Sequence, residues 1–380
     1  MNLIKKTLIN ISIFALVSFV CMVIFDKFLP YFTGVDHRDS STYRSIRLRE
    51  FFPNKTVKLI PTKDYIAHTD SLEVKEYDLR VNSDGYVIGP TDSQLKSEEI
   101  DIIFFGGSTT ELLYVDEDKR FPYLVSQILE KKSGKRVVSL NGGMSGNNLM
   151  HSVLNLLAKG VDKKPKIAVL MHNINDLSQL SRTGSYWKAP HSRAIVQEHY
   201  PSLRLFMKLI KDLLVPNLYQ VYRSSFGAIN ISVRGNEWED TQIIDKTDPK
   251  LMEKMFKNGL QTFVKICRIW NVVPVLMTQM NRININDKIF LNAYNEGDDS
   301  KRYTVQEFAQ IFENFNQYIR EISTIENVLL IDLDEELSDK PQYIYDSVHL
   351  NGPGSMRAAK IITRELSKHF PEYGDRKIQN

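Results

Sequence analysis

The chain has 380 residues, enough for one large domain or two modest ones around a sizeable core. With 42% apolar and 25% charged residues it has the balance of an ordinary globular protein. A net charge of +3, its basic residues scattered among acids, excludes a nucleic-acid footprint. Only Cys21 and Cys267 are present, so neither a disulfide framework nor a zinc site is on offer.

The first element is the uncharged run TLINISIFALVSFVCMVIF at 7–25. Nineteen helical residues can cross a hydrocarbon core of about 30 Å at about 1.5 Å per residue. No small-x-small cleavage site follows, because Phe25 runs directly into Asp26, Lys27 and Phe28. The run therefore reads as a retained membrane anchor, with residues 1–6 as a cytoplasmic N-terminus favoured by Lys5 and Lys6. The remainder is then expected outside the cytoplasm, on a single-pass protein of the cytoplasmic membrane.

Residues 26–98 read as a stalk plus a small β-rich segment, with alternating apolar positions in VKLIPTKDYIAH and an SDG turn in YDLRVNSDGYVIGP. From residue 99 to 372 the pattern changes to strands alternating with helices. Strands are expected at 100–105, 135–141, 166–173, 272–280 and 327–334, with helices between them and a last one over 353–369. Such alternation implies a mostly parallel sheet covered by helices on both faces, with ligands outside the carboxyl ends of its strands. Residues 181–249 interrupt the alternation as an insertion. Within it Leu203, Phe206, Met207, Ile210, Leu213 and Leu214 share one helical face, read as packing on the core. Residues 373–380 are a tail.

Polar residues and glycines gather where those strands end. The first ends in Gly106, Gly107 and Ser108, the second in NGGMSGNN at 141–148, and the third in HNIND at 172–176. Near the C-terminus, YDSVHLNGPG puts Asp346 and His349 three apart before the final helix. Acyl transfer needs a nucleophile, a base, a group orienting the base, and donors for an oxyanion. Ser108, His349 and Asp346 can fill the first three roles. The Ser108 and Gly146 backbone amides and the Asn175 side chain can supply the donors. Ser108-Thr109-Thr110-Glu111 also fits a helix capping box, in which the serine oxygen accepts from the Glu111 backbone.

These four blocks resemble those of the SGNH (GDSL-type) hydrolases: GGS at 106–108, SGNN with Gly146, NIND at 173–176 and DSVH at 346–349. The resemblance covers about residues 100–370. It implies a flavodoxin-like three-layer α/β/α sandwich, a serine esterase or acyltransferase mechanism, and no metal or organic cofactor. It assigns Ser108, Asp346 and His349 to catalysis and Ser108, Gly146 and Asn175 to the oxyanion hole. Two positions depart from the pattern: Gly107 stands for the usual aspartate of GDS, and Asn173 for the usual glycine of GxND.

RVNSDGYVIGP at 80–90 also resembles the segment before the serine block in membrane-anchored members, many of which act on acyl groups of cell-surface polysaccharides. The resemblance thus implies an esterase removing O-acyl groups, acetyl first, from an extracytoplasmic glycan. Alternatives are a polysaccharide O-acetyltransferase working with a multi-span acyltransferase partner, and an inactive glycan-binding or assembly subunit. Asn173, Gln279, Tyr186 and Trp187 are candidate substrate contacts, the two aromatics and Trp238 as sugar-stacking rings whose bland reading is ordinary packing.

Overall fold

The computed structural model describes residues 2–33, 43–90, 100–199, 202–203, 206–207 and 246–374. Contacts divide the chain into two units, Met1–Ile46 with Val196–Asn230, and Arg47–Ile195 with Ile231–Asn380.

The smaller unit holds helix α1, Asn2–Thr33, and an antiparallel ribbon of β1 (Tyr43–Ile46) with β8 (Val196–His199). Within α1, Ile9–Asp26 has a mean hydropathy of 2.2 and no buried share, so it is long and apolar enough to cross a membrane. Of the apolar face expected to pack on the core, Leu203, Phe206 and Met207 are exposed. Ile210, Leu213, Leu214 and Trp238 lie outside the described residues.

The larger unit is built on a sheet of eight strands. Five are parallel: β5 (Ile102–Gly106), β6 (Ser139–Asn141), β7 (Ile167–Met171), β9 (Val273–Met277) and β10 (Leu329–Ile331). They run in the order β6-β5-β7-β9-β10, the 2-1-3-4-5 arrangement of flavodoxin-like doubly wound sheets. Three more strands, β2 (Thr56–Leu59), β3 (Tyr77–Val81) and β4 (Val87–Ile88), continue the sheet antiparallel beyond β6. Much of the segment expected to form a stalk and a small β-rich unit is therefore an extension of the main sheet. A hairpin pairing with a strand fifty residues on leaves no local trace in sequence.

Side-chain alternation along each parallel strand gives the sheet two apolar faces. Ile103 and Phe105 of β5 join Ala168, Leu170 and Leu276 on one face. This face is covered by α5 (Leu149–Asn155), α6 (Ile174–Thr183), α7 (Pro249–Ile269) and α9 (Val305–Ile325). Ile102 and Phe104 join Val169, Met171 and Val275 on the other. That face is covered by α4 (Phe121–Ser133), α10 (Leu333–Leu337) and α11 (Gly352–His369). The result is a three-layer α/β/α sandwich. Two short helices, α2 (Lys63–Ile66) and α3 (Ser108–Glu111), and the longer α8 (Lys288–Glu296) are the remaining described α-helices.

Candidate active site

The switch point of this sheet lies between β5 and β7, whose following connections leave on opposite faces. Ser108 emerges there. β5 ends at Gly106, Gly107 is the residue preceding α3, and Ser108 is the first residue of that helix. No side chain caps α3, so the hydroxyl is not spent on the backbone of Glu111 as a capping box would require. Ser108 Oγ instead lies 2.8 Å from His349 Nε2.

His349 Nδ1 is 2.7 Å from Asp346 Oδ2. A carboxylate only accepts, so Nδ1 carries the proton and Nε2 is the acceptor facing the serine hydroxyl. Asp346 Oδ1 in turn accepts the backbone N–H groups of Val348 (2.9 Å) and His349 (2.8 Å), which fixes the loop that carries both residues. Tyr65 donates to Asp346 Oδ2 at 3.2 Å, and Tyr345 stacks on the imidazole at 5.7 Å between ring centres. All three members of the Ser108–His349–Asp346 chain are half-buried, open enough to meet a ligand.

Electrostatics raise the basicity of the imidazole. Burial alone would lower the His349 pKa, but the Asp346 charge, its hydrogen bond and the Glu111 charge outweigh burial and raise it. Burial pushes the Asp346 carboxyl up, while the His349 charge, its hydrogen bond and the two backbone donors bring it below the ordinary value. Glu111 is different: burial lifts its carboxyl to about 7 against the opposing Ser145 hydrogen bond and Arg120 charge.

The glycine block packs directly on the serine turn. Asn141, at the end of β6, donates to Thr110 O at 2.9 Å and accepts from Gly143 N at 2.9 Å. The Ser145 hydroxyl donates to the Glu111 carboxylate. Gly146 follows with φ +77°, a conformation glycine adopts without strain. Among the described residues no acceptor meets the N–H of Gly146 or of Ser108, so both amides are available to a ligand. Asn175, in the first turn of α6, donates from Nδ2 to Asn147 O at 2.8 Å, which leaves its second N–H. A Cβ built on Gly107 would lie only 2.3 Å from that Nδ2. Gly107 thus leaves room for the Asn175 amide to sit against the serine turn.

Of the four other residues proposed from sequence as substrate contacts, three point into the interior. Asn173 is buried, and its Nδ2 donates to Phe312 O at 2.9 Å and Asn316 Oδ1 at 3.0 Å. Gln279 is also buried, its Oε1 accepting Ile174 N at 3.2 Å at the start of α6. Tyr186 is 1% exposed and donates to Asp176 Oδ1 at 2.8 Å, so it is packed rather than presented. Trp187 alone of the four is exposed. These positions do belong to strand ends or the insertion, but side-chain direction carries three of them into the interior.

No family model matches the chain, and no curated protein matches it. Several solved structures are similar. The lipase/acylhydrolase from Enterococcus faecalis is 15% identical over 71% of this chain and 96% of that one, with a TM-score of 0.41. The acetyl xylan esterase AlAXEase is 17% identical over 70% and 100%, with a TM-score of 0.39. The acetylxylan esterase Axe2 from Geobacillus stearothermophilus is 15% identical over 72% and 96%, with a TM-score of 0.37.

Proposed function

We propose that the chain is a serine ester hydrolase of the SGNH type. Ser108 is its nucleophile, His349 its general base and acid, and Asp346 the orienting carboxylate. The observation that carries this reading is the 2.8 Å approach of Ser108 Oγ to His349 Nε2, with Asp346 on the far ring nitrogen.

In this reading Ser108 Oγ attacks the ester carbonyl carbon while its proton passes to His349 Nε2. The carbonyl oxygen becomes an oxyanion held by the Ser108 and Gly146 amides and the Asn175 side chain. Collapse breaks the ester C–O bond, and the leaving alkoxide takes the proton back from the imidazolium. Water, giving a proton to His349, then attacks the acyl-serine; collapse breaks the bond between the acyl carbon and Ser108 Oγ, which takes the proton back from the imidazolium as the carboxylic acid leaves. The negative charge of Asp346 stabilises the imidazolium in both halves.

The substrate is proposed to be an O-acylated, first of all O-acetylated, glycan outside the cytoplasm, with the protein held at the membrane by the apolar span within α1. Support comes from that span and from the four sequence blocks. Full-length protein in detergent should hydrolyse p-nitrophenyl acetate and take a fluorophosphonate label at Ser108, and Ser108→Ala should lose both. Retained hydrolysis in Ser108→Ala would refute the mechanism. Deleting the gene should raise acetylation of an envelope polymer; a fall would favour acyl transfer to that polymer instead.

A further inference from the structure

We infer that Arg49 is a positioning residue that sets the direction of the Gly146 N–H in the oxyanion hole. The inference rests on the serine-esterase reading above and assigns a role to a residue outside all four sequence blocks. Arg49 lies in the stretch between β1 and β2, a segment that the sequence presents as a stalk.

One peptide unit links Arg49 to the oxyanion hole. The carbonyl of Ser145 and the N–H of Gly146 belong to the same planar amide and point in opposite directions. Arg49 Nη2 donates to Ser145 O at 2.9 Å. Holding that carbonyl therefore holds the N–H on the opposite edge. Gly146 has φ +77° and no Cβ, so its own backbone gives little resistance to rotation of this plane. An external grip is required to keep the donor aimed.

Arg49 grips from both sides of the glycine. Its Nε donates to Asn147 Oδ1 at 3.0 Å, and Asn147 Nδ2 returns a bond to Arg49 O at 3.1 Å. Asn155 Nδ2 donates to the same carbonyl at 3.0 Å, tying the Arg49 backbone to α5. Nη1 donates to Ser192 O at 2.7 Å, which fixes the plane of the guanidinium. Three of these bonds come from a charged donor and are stronger than neutral ones. A guanidinium on the carbonyl also polarises the peptide, which strengthens its N–H as a donor to a developing oxyanion. A lysine ammonium has one nitrogen and cannot span Ser145 O, Asn147 Oδ1 and Ser192 O together.

The test compares Arg49→Ala and Arg49→Lys with the wild type as full-length proteins in detergent, using p-nitrophenyl acetate. Loss of one oxyanion donor lowers kcat by roughly 10²–10³-fold, and Arg49→Ala should show a loss of that order with KM changed less than about threefold. Arg49→Lys should fall between. Millimolar methylguanidinium should restore part of kcat in Arg49→Ala and none in Ser108→Ala. The pH at which activity rises should stay where it is in the wild type, because His349 and Asp346 are untouched. Unchanged kcat in folded Arg49→Ala, with Ser108→Ala inactive, overturns the inference and leaves the esterase reading standing. Should Arg49→Ala not fold, a wild-type kcat in Arg49→Lys overturns it equally. Activity surviving in Ser108→Ala instead overturns the esterase reading.

Discussion

Ser108 Oγ and His349 Nε2 stand 2.8 Å apart although 241 residues separate them in the chain. A second pair repeats the motif: Ser152 Oγ lies 2.7 Å from His172 Nε2. His172 Nδ1 is 3.3 Å from Asp176 Oδ2, within ion-pair range but without hydrogen-bond alignment. What separates the two is access. Ser152, His172 and Asp176 are exposed by 1%, 2% and 0%, whereas Ser108 and His349 are half-buried at the mouth of the sheet. A fluorophosphonate should therefore modify Ser108 and leave Ser152 unmodified, as peptide mapping by mass spectrometry would report. Ser152→Ala should keep kcat within a few-fold but lower stability by about 1–3 kcal/mol, because it strands a buried imidazole nitrogen. Labelling at Ser152 would contradict this division.

The pH dependence follows from the groups around His349. The base must be neutral to accept the serine proton, and its pKa is raised above the ordinary value of 6.5. The rising limb of kcat/KM should accordingly lie above that value. Asp346→Asn removes the charge and hydrogen bond that raise the imidazole, so the limb should move down while kcat falls by roughly 10³–10⁴-fold. Tyr65→Phe acts in the opposite direction. Without the Tyr65 donor the Asp346 carboxylate holds the imidazolium more tightly, and the limb should move up with only a small change in kcat. A Tyr65→Phe profile displaced to lower pH would contradict the assignment. Stability runs the other way from activity: the paired imidazolium stabilises the fold below the unfolded pKa, and that contribution is lost as pH rises through the folded one.

Glu111 makes a separate prediction because its carboxyl is raised from 4.5 to about 7. The folded chain holds this proton more tightly than the unfolded chain does. Its contribution is therefore most favourable below pH 4.5 and is lost as pH rises through about 7, a cost of about 3 kcal/mol. Glu111→Gln carries no charge at any pH, and its amide oxygen can still accept from Ser145. Thermal melts should show the variant gaining stability relative to wild type at pH 8 and not at pH 4. The activity limb should shift down slightly, since one of the charges that raise His349 is gone. Equal differences in Tm at both pH values would contradict the buried-carboxyl account.

How much of this was legible depended on whether the signal was local. The switch from scattered apolar positions to the strand IDIIFF and its glycine terminus marks β5 and Ser108, because a buried parallel strand must be apolar throughout. DSVH is legible for the same reason, as two side chains three apart in one loop. Tyr65 and Arg49 carry no such mark. Their partners lie 281 and 98 residues away, and nothing in their neighbours distinguishes them from a stalk. Asn173 and Gln279 show the converse failure. Sequence position puts both at strand ends, yet the Asn173 amide turns inward to donate to Asn316 Oδ1 and Phe312 O, and the Gln279 side chain turns inward to accept Ile174 N. Asp176 similarly anchors α5 by accepting Leu149 N at 2.8 Å, a role that the motif alone does not reveal.

Gly107 offers the sharpest test of how this site differs from the pattern it resembles. An aspartate is usual at this position, so Gly107→Asp would restore the common motif. The structure predicts the reverse of a gain. The new Cβ would meet Asn175 Nδ2 at 2.3 Å and Asn147 O at 3.1 Å. The first is far inside van der Waals contact, and neither neighbour is the loose end of a long chain: Asn175 Nδ2 is held by the Asn147 carbonyl. The Asn175 side chain must swing out and surrender its place beside the serine turn. Losing one oxyanion donor costs roughly 10²–10³-fold in kcat, and Gly107→Asp should fall by at least that order. Gly107→Ala separates sterics from charge, since it adds the same Cβ without a carboxylate. Both variants should be similarly impaired, with Ser108 still reacting slowly with fluorophosphonate. If alanine is tolerated and aspartate alone is harmful, the obstacle is the negative charge rather than the space that glycine leaves for Asn175.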